Sequence, residues 1–245
     1  MYEPMSSYTR LAEVYDDIVV DPCYGQWAQF MHEQWRTDGN VESVLDVGCG
    51  TGLLASELQA LGYAVTGIDA SRSMLERARH RLGPDTKLVE AMLPDLGVDS
   101  AFDAAVSTFD VLNYLTPAVL ISTLAAVARQ LRPGGWFVFD LHTDAMMEFA
   151  ATNPVVEGVA EGQDFRISNR VDRNSRSVAT HVTFARSDGS DFFEEVHQQY
   201  FFADDVVHSA LESAKFEVVA VCDEYRDAAV NEDSLRATWV ARLPA

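Results

Sequence analysis

The chain has 245 residues, 48% of them hydrophobic, so it is long enough and apolar enough to build one large packed domain. Its 38 acidic and 18 basic residues give a net charge of −20, which opposes nucleic-acid binding because that binding depends on Lys and Arg neutralising phosphates. No apolar run is long enough to span a bilayer, the N-terminus MYEPMSSYTR lacks the apolar region of a signal peptide, and three cysteines do not form a disulfide framework. We therefore expect a cytoplasmic protein without a membrane or nucleic-acid partner.

Two amphipathic segments open the chain. Apolar residues recur at helical spacing from Thr9 to Val20 and again from Gly25 to Thr37. We expect these helices to form a cap within residues 1–40, with their aromatic side chains serving mainly as packing.

From Val41 to about residue 150, apolar strand patterns alternate with helical ones. The predicted strands are SVLDVG, AVTGID, 87–90, 103–107 and 136–141, and the helix after the second strand carries Ser73 and Glu76 at capping-box spacing. Strands separated by helices of this length predict right-handed crossovers and a parallel sheet covered on both faces.

The pattern changes after Ala150, where apolar residues recur at every second position. The dipeptide Asp188-Gly189 predicts a hairpin turn within a three-stranded antiparallel insertion covering residues 160–202. A helix at 204–214 and two strands at 216–222 and 237–243 then return to the main sheet. The predicted fold is a single α/β domain, residues 1–245, with a seven-stranded, mostly parallel Rossmann-like sheet. Its parts are the helical cap (1–40), a cofactor-binding core (41–150), the antiparallel insertion as a lid (160–202) and the returning segment (203–243).

A glycine-rich loop, LDVGCGTGLLA, joins the first strand to its helix. Glycines at 48, 50 and 52 let a ligand approach the backbone at the sheet edge where open α/β folds bind ligands. Counted from Gly50, the loop also fits a dinucleotide pattern, because Asp69 follows 19 residues later. Asp46 lies just before the glycines, where it would repel a pyrophosphate and attract a cation. A nicotinamide-dependent oxidoreductase and a non-catalytic binding protein are two kinds of protein that this loop would also fit.

Several motifs together carry a family resemblance. The run DVGCGTG, followed by GIDAS and ML, resembles motifs I and II of class I S-adenosylmethionine-dependent methyltransferases. The segments AEVYD, FDAAVSTFDVLNYL, LRPGGWFVFDLH and EEVHQQY extend the resemblance over most of the chain. This layout is similar to bacterial small-molecule methyltransferases, including N,N-dimethyltransferases of antibiotic amino-sugar pathways.

The resemblance implies S-adenosylmethionine as cofactor and assigns residues to its parts. Asp46 and Gly48 would hold the methionine, Asp69 the ribose, Ala70 and Met92 would contact the adenine, and Ser107 and Phe109 would close the pocket near the methionine. Relatives often place an Asp where this chain has Ala91, so Glu90 or the backbone would have to bind the adenine amino group. The alternative role for Met92 is core packing. The full predicted cofactor set is Tyr15, Asp46, Gly48, Gly50, Gly52, Asp69, Ala70, Met92, Ser107 and Phe109.

Two places in the sequence carry candidate residues for binding and activating the methyl acceptor. His142 follows the fifth strand, and Glu195, His197 and Gln199 alternate so that they share one face of a strand. We take His142, His197 and Glu195 as catalytic candidates for methyl transfer to an N or O atom of a small acceptor. The strand face that carries Glu195 and His197 would equally suit contact with solvent or a homodimer surface. Tyr8, Tyr15, Asn113 and Tyr114 are further pocket candidates. No motif indicates a metal.

Overall fold

The computed structural model describes residues 15–16, 23–36, 41–160, 163–186 and 192–245. In these residues none of the helices is long and apolar enough to cross a membrane. The elements in chain order are α1 (Cys23–Arg36), β1 (Ser43–Val47), α2 (Leu53–Ala60), β2 (Ala64–Asp69), α3 (Arg72–Leu82), β3 (Lys87–Glu90), β4 (Phe102–Ser107), a 3₁₀ helix (Val111–Tyr114), α4 (Pro117–Gln130), β5 (Leu131–His142), α5 (Asp144–Thr152), β6 (Val155–Ala160), β7 (Gln163–Asp172), β8 (Ser177–Arg186), β9 (Phe192–Tyr200), α6 (Asp204–Ser213), β10 (Glu217–Asp223) and β11 (Arg236–Arg242).

The main sheet has seven strands in the order β10-β11-β5-β4-β1-β2-β3. Strands β1 to β5 run parallel, whereas β11 is antiparallel to β5 and β10 is antiparallel to β11. The predicted seven-stranded, mostly parallel sheet is therefore confirmed. Because β1, β2, β4 and β5 point the same way, the loops that follow them meet at one edge of the sheet.

Apolar clusters cover both faces of this sheet. Leu45 and Phe137 belong to the cluster that packs against α4 and α6, while Val44 belongs to the cluster that packs against α1 and α2. Trp27 and Trp35 of α1 are almost fully buried in the second cluster, so their aromatic stripe serves packing. Burying each such side chain contributes roughly 1.5–3 kcal/mol, which fixes α1 on the sheet.

The N-terminal cap is described only in part. The predicted helix over 25–37 is confirmed as α1, which begins two residues earlier and ends at Arg36. The segment predicted as a helix from Thr9 to Val20 lies outside the described residues except for Tyr15 and Asp16, which are helical.

The insertion is a four-stranded antiparallel sheet, β6-β7-β8-β9, rather than the predicted three-stranded one. The extra strand β6 begins at Val155, and α5 precedes it. The prediction was wrong here because VVEGVA does not alternate: Val155, Val156 and Val159 are all exposed on an edge strand. The predicted turn at 188–189 lies outside the described residues, and β8 and β9 pair around it.

The start of α3 also differs from the prediction. Ser71, not Ser73, is the residue before the helix, and its hydroxyl accepts a hydrogen bond from the Met74 N–H at 3.3 Å. The capping box of Ser73 and Glu76 was therefore wrong. Ser71 takes this position because its own N–H donates to Asp69 Oδ1 at 2.7 Å, which places the helix start directly after β2.

Candidate active site

A cavity of about 1020 Å³ lies at the carboxyl edge of the main sheet, and β9 of the insertion forms part of its wall. Its lining comes mainly from the loops after β1, β2, β3 and β4. The lining residues include Tyr15, Tyr24, Asp46, Gly48, Gly50, Asp69, Ala70, Arg72, Glu90, Ala91, Met92, Phe109, Val111, Tyr114, Leu115, Thr116, Val119, Val196, Gln198 and Tyr200. Small-molecule pockets are usually about 300–1,000 Å³, so this cavity lies at the upper end of that range.

The glycine loop forms the floor of the cavity. Gly48 and Gly50 have φ values of 76° and 53°, in the left-handed region that favours glycine. A Cβ atom on Gly48 would lie 2.5 Å from Val111 Cγ1, so the loop and the 3₁₀ helix are in direct contact there. The N–H groups of Gly48 and Cys49 both donate to Ile68 O, at 2.8 and 2.9 Å, which fixes the loop to the end of β2.

Asp46 lies in β1 two residues before the loop and is 1% exposed. Burial, and then the nearby charge of Asp69, raise the pKa of its carboxyl group to about 7. Among the described residues, Oδ2 has no hydrogen-bond partner although it is shielded from solvent. A buried carboxylate oxygen that lines a cavity and lacks a partner can bind a cationic group of a ligand.

Asp69 ends β2 and organises two neighbouring turns. Its Oδ2 accepts the Gly50 N–H at 2.9 Å, and its Oδ1 accepts the Ser71 N–H at 2.7 Å. Burial raises the pKa of this carboxyl group, while backbone N–H groups of Ser71, Gly50 and Ala70 lower it. A carboxylate has about four lone-pair sites, so each oxygen can still accept a hydroxyl group from a ligand in the cavity.

The end of the cavity beyond Asp69 is shaped by residues after β2 and β3. Ala70 and Arg72 line one side, and Glu90, Ala91 and Met92 line the other. Met92 is 46% exposed, so the alternative that it fills the core is wrong. The side chain of Ala91 has no polar group, and its backbone N–H donates a hydrogen bond to Asp69 O at 3.0 Å.

Aromatic rings form another part of the cavity wall. The Phe109 ring stacks on Tyr24 with centroids 6.0 Å apart, and both rings line the cavity. Asp16 is held beside the glycine loop: it accepts a hydrogen bond from Thr51 Oγ1 at 2.6 Å and pairs with Arg81, also at 2.6 Å. This places Tyr15 on the cavity wall directly beside the glycine loop.

Comparison with known proteins decides the family. A methyltransferase domain family matches residues 44–135. The chain is 30% identical over 192 residues to dTDP-3-amino-3,4,6-trideoxy-alpha-D-glucopyranose N,N-dimethyltransferase of Streptomyces venezuelae, covering 75% of this chain and 76% of that protein. It is also 29% identical over 241 residues to the putative methyltransferase YqeM of Bacillus subtilis, covering 96% of both chains. The chain belongs to the S-adenosylmethionine-dependent methyltransferases.

The fold of this methyltransferase agrees with that membership. An S-adenosylmethionine-dependent methyltransferase from Clostridium acetobutylicum matches it with a TM-score of 0.84 at 22% identity, covering 97% of this chain and 99% of that one. At that identity the match shows a shared fold. The resemblance given by the sequence motifs is confirmed.

Two residues of the predicted cofactor set lie behind the cavity wall of the methyltransferase. Ser107 is fully buried, and its hydroxyl donates to Val47 O at 2.9 Å, so it joins β4 to β1 instead of facing the cavity. Gly52 provides close packing, since a Cβ there would lie 2.9 Å from Leu82 Cδ1 of α3. The other members of the set line the cavity.

Strand β9 turns the opposite face toward the cavity from the one expected. Val196, Gln198 and Tyr200 line the cavity, whereas Glu195, His197 and Gln199 are buried on the other face. The alternation was predicted, but its direction was not, because the polar face that carries Glu195, His197 and Gln199 is covered by protein. His197 still reaches the wall indirectly: its Nδ1 lies 3.1 Å from the Tyr114 hydroxyl, and its Nε2 lies 3.7 Å from Glu195 Oε2.

His142 also lies behind the wall. Its Nε2 is 3.5 Å from Asp110 Oδ1, its ring stacks on Phe201, and burial lowers the pKa of the imidazole. Its backbone N–H donates to Asn113 Oδ1 at 3.0 Å, while Asn113 Nδ2 donates to Tyr200 O at 2.7 Å. Asn113 therefore ties the end of β5 to β9, which is a structural role.

Three features of the site went unpredicted. Tyr24 forms part of the wall, but in sequence it is one more aromatic residue at the start of an amphipathic helix. Asp140 lies within the segment LRPGGWFVFDLH but was given no role there, and Arg236 belongs to none of the quoted segments, although the two residues form a buried ion pair next to Phe109. Long-range partners of this kind have no periodic signal; only a charged residue within an otherwise apolar strand, as in FVFDL, marks Asp140.

Proposed function

We propose that this methyltransferase binds S-adenosylmethionine with its methionine over β1 and its adenine beside β3, and methylates a small acceptor held against β9. The chain transfers a methyl group from S-adenosylmethionine to a small molecule. The observation that supports this orientation is the buried, unpartnered oxygen of Asp46 at the cavity floor. The methionine ammonium group would pair with that oxygen, and the two ribose hydroxyls would donate to Asp69.

The charges of the cavity favour this cofactor over a dinucleotide. Asp46 and Asp69 flank the glycine loop at the place where a dinucleotide would put its pyrophosphate, and the resulting repulsion would be strong in a buried site. Of the described lining residues only Arg72 is cationic, and it is exposed and paired with Glu76 at 3.3 Å. A positively charged sulfonium ligand is the better match, so a nicotinamide-dependent reaction is not favoured.

The acceptor end differs in chemistry from the cofactor end. Its described lining comprises uncharged residues from the 3₁₀ helix, the start of α4 and β9: Val111, Tyr114, Leu115, Thr116, Val119, Val196, Gln198 and Tyr200. Apolar side chains with a few hydroxyl and amide groups suit a small acceptor that is largely uncharged on this side. The similarity to an amino-sugar N,N-dimethyltransferase makes an amine the first acceptor to test.

Methyl transfer is an in-line displacement in which the acceptor lone pair forms the new bond to carbon and the C–S electron pair stays on sulfur. Holding the two reactants in line and away from water supplies most of the acceleration. An acceptor N–H or O–H must also lose its proton, and we assign Tyr114 to receive it. Its hydroxyl would pass its own proton to His197 Nδ1, and Glu195 would then face the imidazolium that results. Burial lowers the pKa of His197, which favours the neutral imidazole that this proton transfer requires.

The proposal is tested by binding and by transfer. Calorimetry with adenosylhomocysteine and with NAD should show binding of the first and none of the second; the reverse result would contradict the cofactor assignment. Transfer from radiolabelled S-adenosylmethionine is then measured on a panel of amino sugars, amines and phenols.

The acceptor residues are tested by Tyr114→Phe and Glu195→Gln. For an acceptor that loses a proton we expect both to lower kcat by about 10²-fold or more, the usual contribution of a positioned acid or base, with adenosylhomocysteine affinity unchanged. The matched control is Glu194→Gln, since Glu194 is the neighbouring carboxylate but is exposed and pairs with His181. Equal turnover in all three variants would exclude the Tyr114–His197 path.

A further inference from the structure

A buried ionic network lies directly behind the Phe109 wall of the cavity. Asp140, fully buried near the end of β5, accepts the backbone N–H groups of Phe109 at 2.7 Å and Asp110 at 2.6 Å. It also accepts the Tyr225 hydroxyl at 2.6 Å, and Arg236 Nε lies 3.4 Å from its Oδ1. Neither Asp140 nor Arg236 lines the cavity.

The network compensates for an unfavourable backbone. Phe109 and Asp110 have φ values of 63° and 55°, a left-handed conformation that bulky non-glycine residues seldom adopt. In this turn two successive N–H groups converge, which creates a concave site for an anion. The Asp140 carboxylate occupies that site, so the turn is stabilised by a side chain of the protein itself.

The turn determines two parts of the cavity. The Phe109 ring lines it on one side, and the Arg236 guanidinium carbon lies 4.9 Å from the centroid of that ring. Val111 follows the turn and packs on Gly48 so closely that a Cβ there would be 2.5 Å away. A shift of the turn would therefore move both the aromatic wall and the contact with the glycine loop.

We propose that Asp140 and Arg236 are positioning residues that hold the Phe109–Asp110 turn in place and thereby set the affinity for the cofactor without touching it. The proposal rests on the proposed function, because it takes the ligand of this cavity to be S-adenosylmethionine. Arg236 acts on both residues of the turn: it covers the Phe109 ring and pairs with Asp110 Oδ1 at 3.2 Å. Asp110 Oδ2 accepts Gln199 Nε2 of β9 at 2.5 Å, so the same turn also carries a contact to the insertion.

The test compares Asp140→Asn with Asp103→Asn. Asp103 is a matched control because its Oδ2 also accepts two successive backbone N–H groups, those of Glu42 at 3.1 Å and Ser43 at 2.9 Å, and it also pairs with an arginine, Arg132. It differs in lying at the start of β4, at the opposite edge of the sheet. Adenosylhomocysteine is the probe, with Kd measured by calorimetry and amide hydrogen exchange measured over residues 109–111.

We expect Asp140→Asn to raise the Kd about tenfold, equivalent to about 1.4 kcal/mol, and to accelerate exchange at residues 109–111. Asp103→Asn should leave the Kd and the exchange rates at residues 109–111 within about twofold of the wild-type values, as expected for a site distant from the ligand. Wild-type affinity and exchange in folded Asp140→Asn, or equal weakening in both variants, would overturn the proposal. If Asp140→Asn does not fold, Tyr225→Phe decides, because it removes one hydrogen bond to Asp140 and should raise the Kd by a smaller factor; an unchanged Kd would then overturn it. Failure of the wild-type protein to bind adenosylhomocysteine would instead count against the proposed function.

Discussion

Replacing Asp46 with Asn should stabilise the ligand-free protein while weakening its cofactor site. The pKa of Asp46 is raised from its ordinary 3.8 to about 7 in the folded protein, so the folded state binds more protons than the unfolded state between those values. The contribution of Asp46 to the free energy of unfolding is therefore most favourable below about pH 4, and it falls as the pH rises toward 7. The difference between the two pKa values corresponds to about 4 kcal/mol, all of which opposes folding once the pH exceeds about 7.

Asp46→Asn removes this penalty, so the variant should be more stable than the wild-type protein at pH 8, by up to about 4 kcal/mol. The same change removes the proposed partner of the methionine ammonium group. Adenosylhomocysteine binding should weaken by about 1.5–3 kcal/mol, the range for a hydrogen bond to a charged group. A gain in stability together with a loss of binding distinguishes a ligand-binding carboxylate from a structural one, whose loss would destabilise the protein.

Denaturant unfolding at pH 8 and pH 5 measures the first effect, and calorimetry at the same two pH values measures the second. The pH 5 measurement is the internal control, because the wild-type side chain is then protonated in the folded state and the stability difference from Asp46→Asn should shrink to less than half of its value at pH 8. Binding at pH 7 should also release a proton, which is visible as a dependence of the binding enthalpy on the buffer. The reasoning fails if Asp46→Asn is no more stable than wild type at pH 8, or if its affinity for adenosylhomocysteine at pH 8 is unchanged.

Two further substitutions test the floor of the cavity. Asp69→Ala should weaken adenosylhomocysteine binding by roughly 1.5–3 kcal/mol in a folded protein, because it removes the acceptor of the ribose hydroxyls; an unchanged Kd by calorimetry would separate Asp69 from the site. Gly48→Ala should destabilise the protein by about 1–3 kcal/mol in thermal unfolding, since its Cβ would overlap Val111 and its φ is 76°, and Val111→Ala in the same chain should restore part of the loss. No restoration in the double variant would show that backbone strain, and not the contact with Val111, is responsible.

The sequence predicted the cofactor half of the site better than the acceptor half. The glycine loop and Asp69 are encoded locally: three glycines and a strand-terminal carboxylate fix where the backbone must turn and which atoms face the ligand. Strand β9 has an equally clear alternation, but alternation only separates two faces. Which face meets the cavity depends on Asp110 and Tyr114, which lie more than 80 residues earlier in the chain and bind Gln199 and His197.

The strands of the main sheet could be predicted from their own apolar patterns, whereas β6 could not. Strands such as β1 and β4 are apolar and are followed by helices, so their pattern suffices. Strand β6 is an edge strand with exposed valines and with Gly158 in its middle, where a Cβ would lie 2.6 Å from the Phe165 ring. Its position depends on that contact with β7, which the hydrophobic pattern of β6 does not reveal.

Four carboxylates meet at the carboxyl edge of this sheet, and their partners divide them by role. Asp140 is satisfied by two backbone N–H groups, a tyrosine hydroxyl and an arginine, and Asp110 is satisfied by Arg236 and Gln199. Asp69 shares its oxygens between two backbone N–H groups and the cavity. Among the described residues, Oδ2 of Asp46 is left without a partner. Burying an unpaired carboxylate is costly unless a ligand supplies the missing charge. In the proposed binding mode the protein satisfies the carboxylates that shape the site, and Asp46 is left for the cation of the cofactor, which is why Asp46→Asn should separate stability from binding.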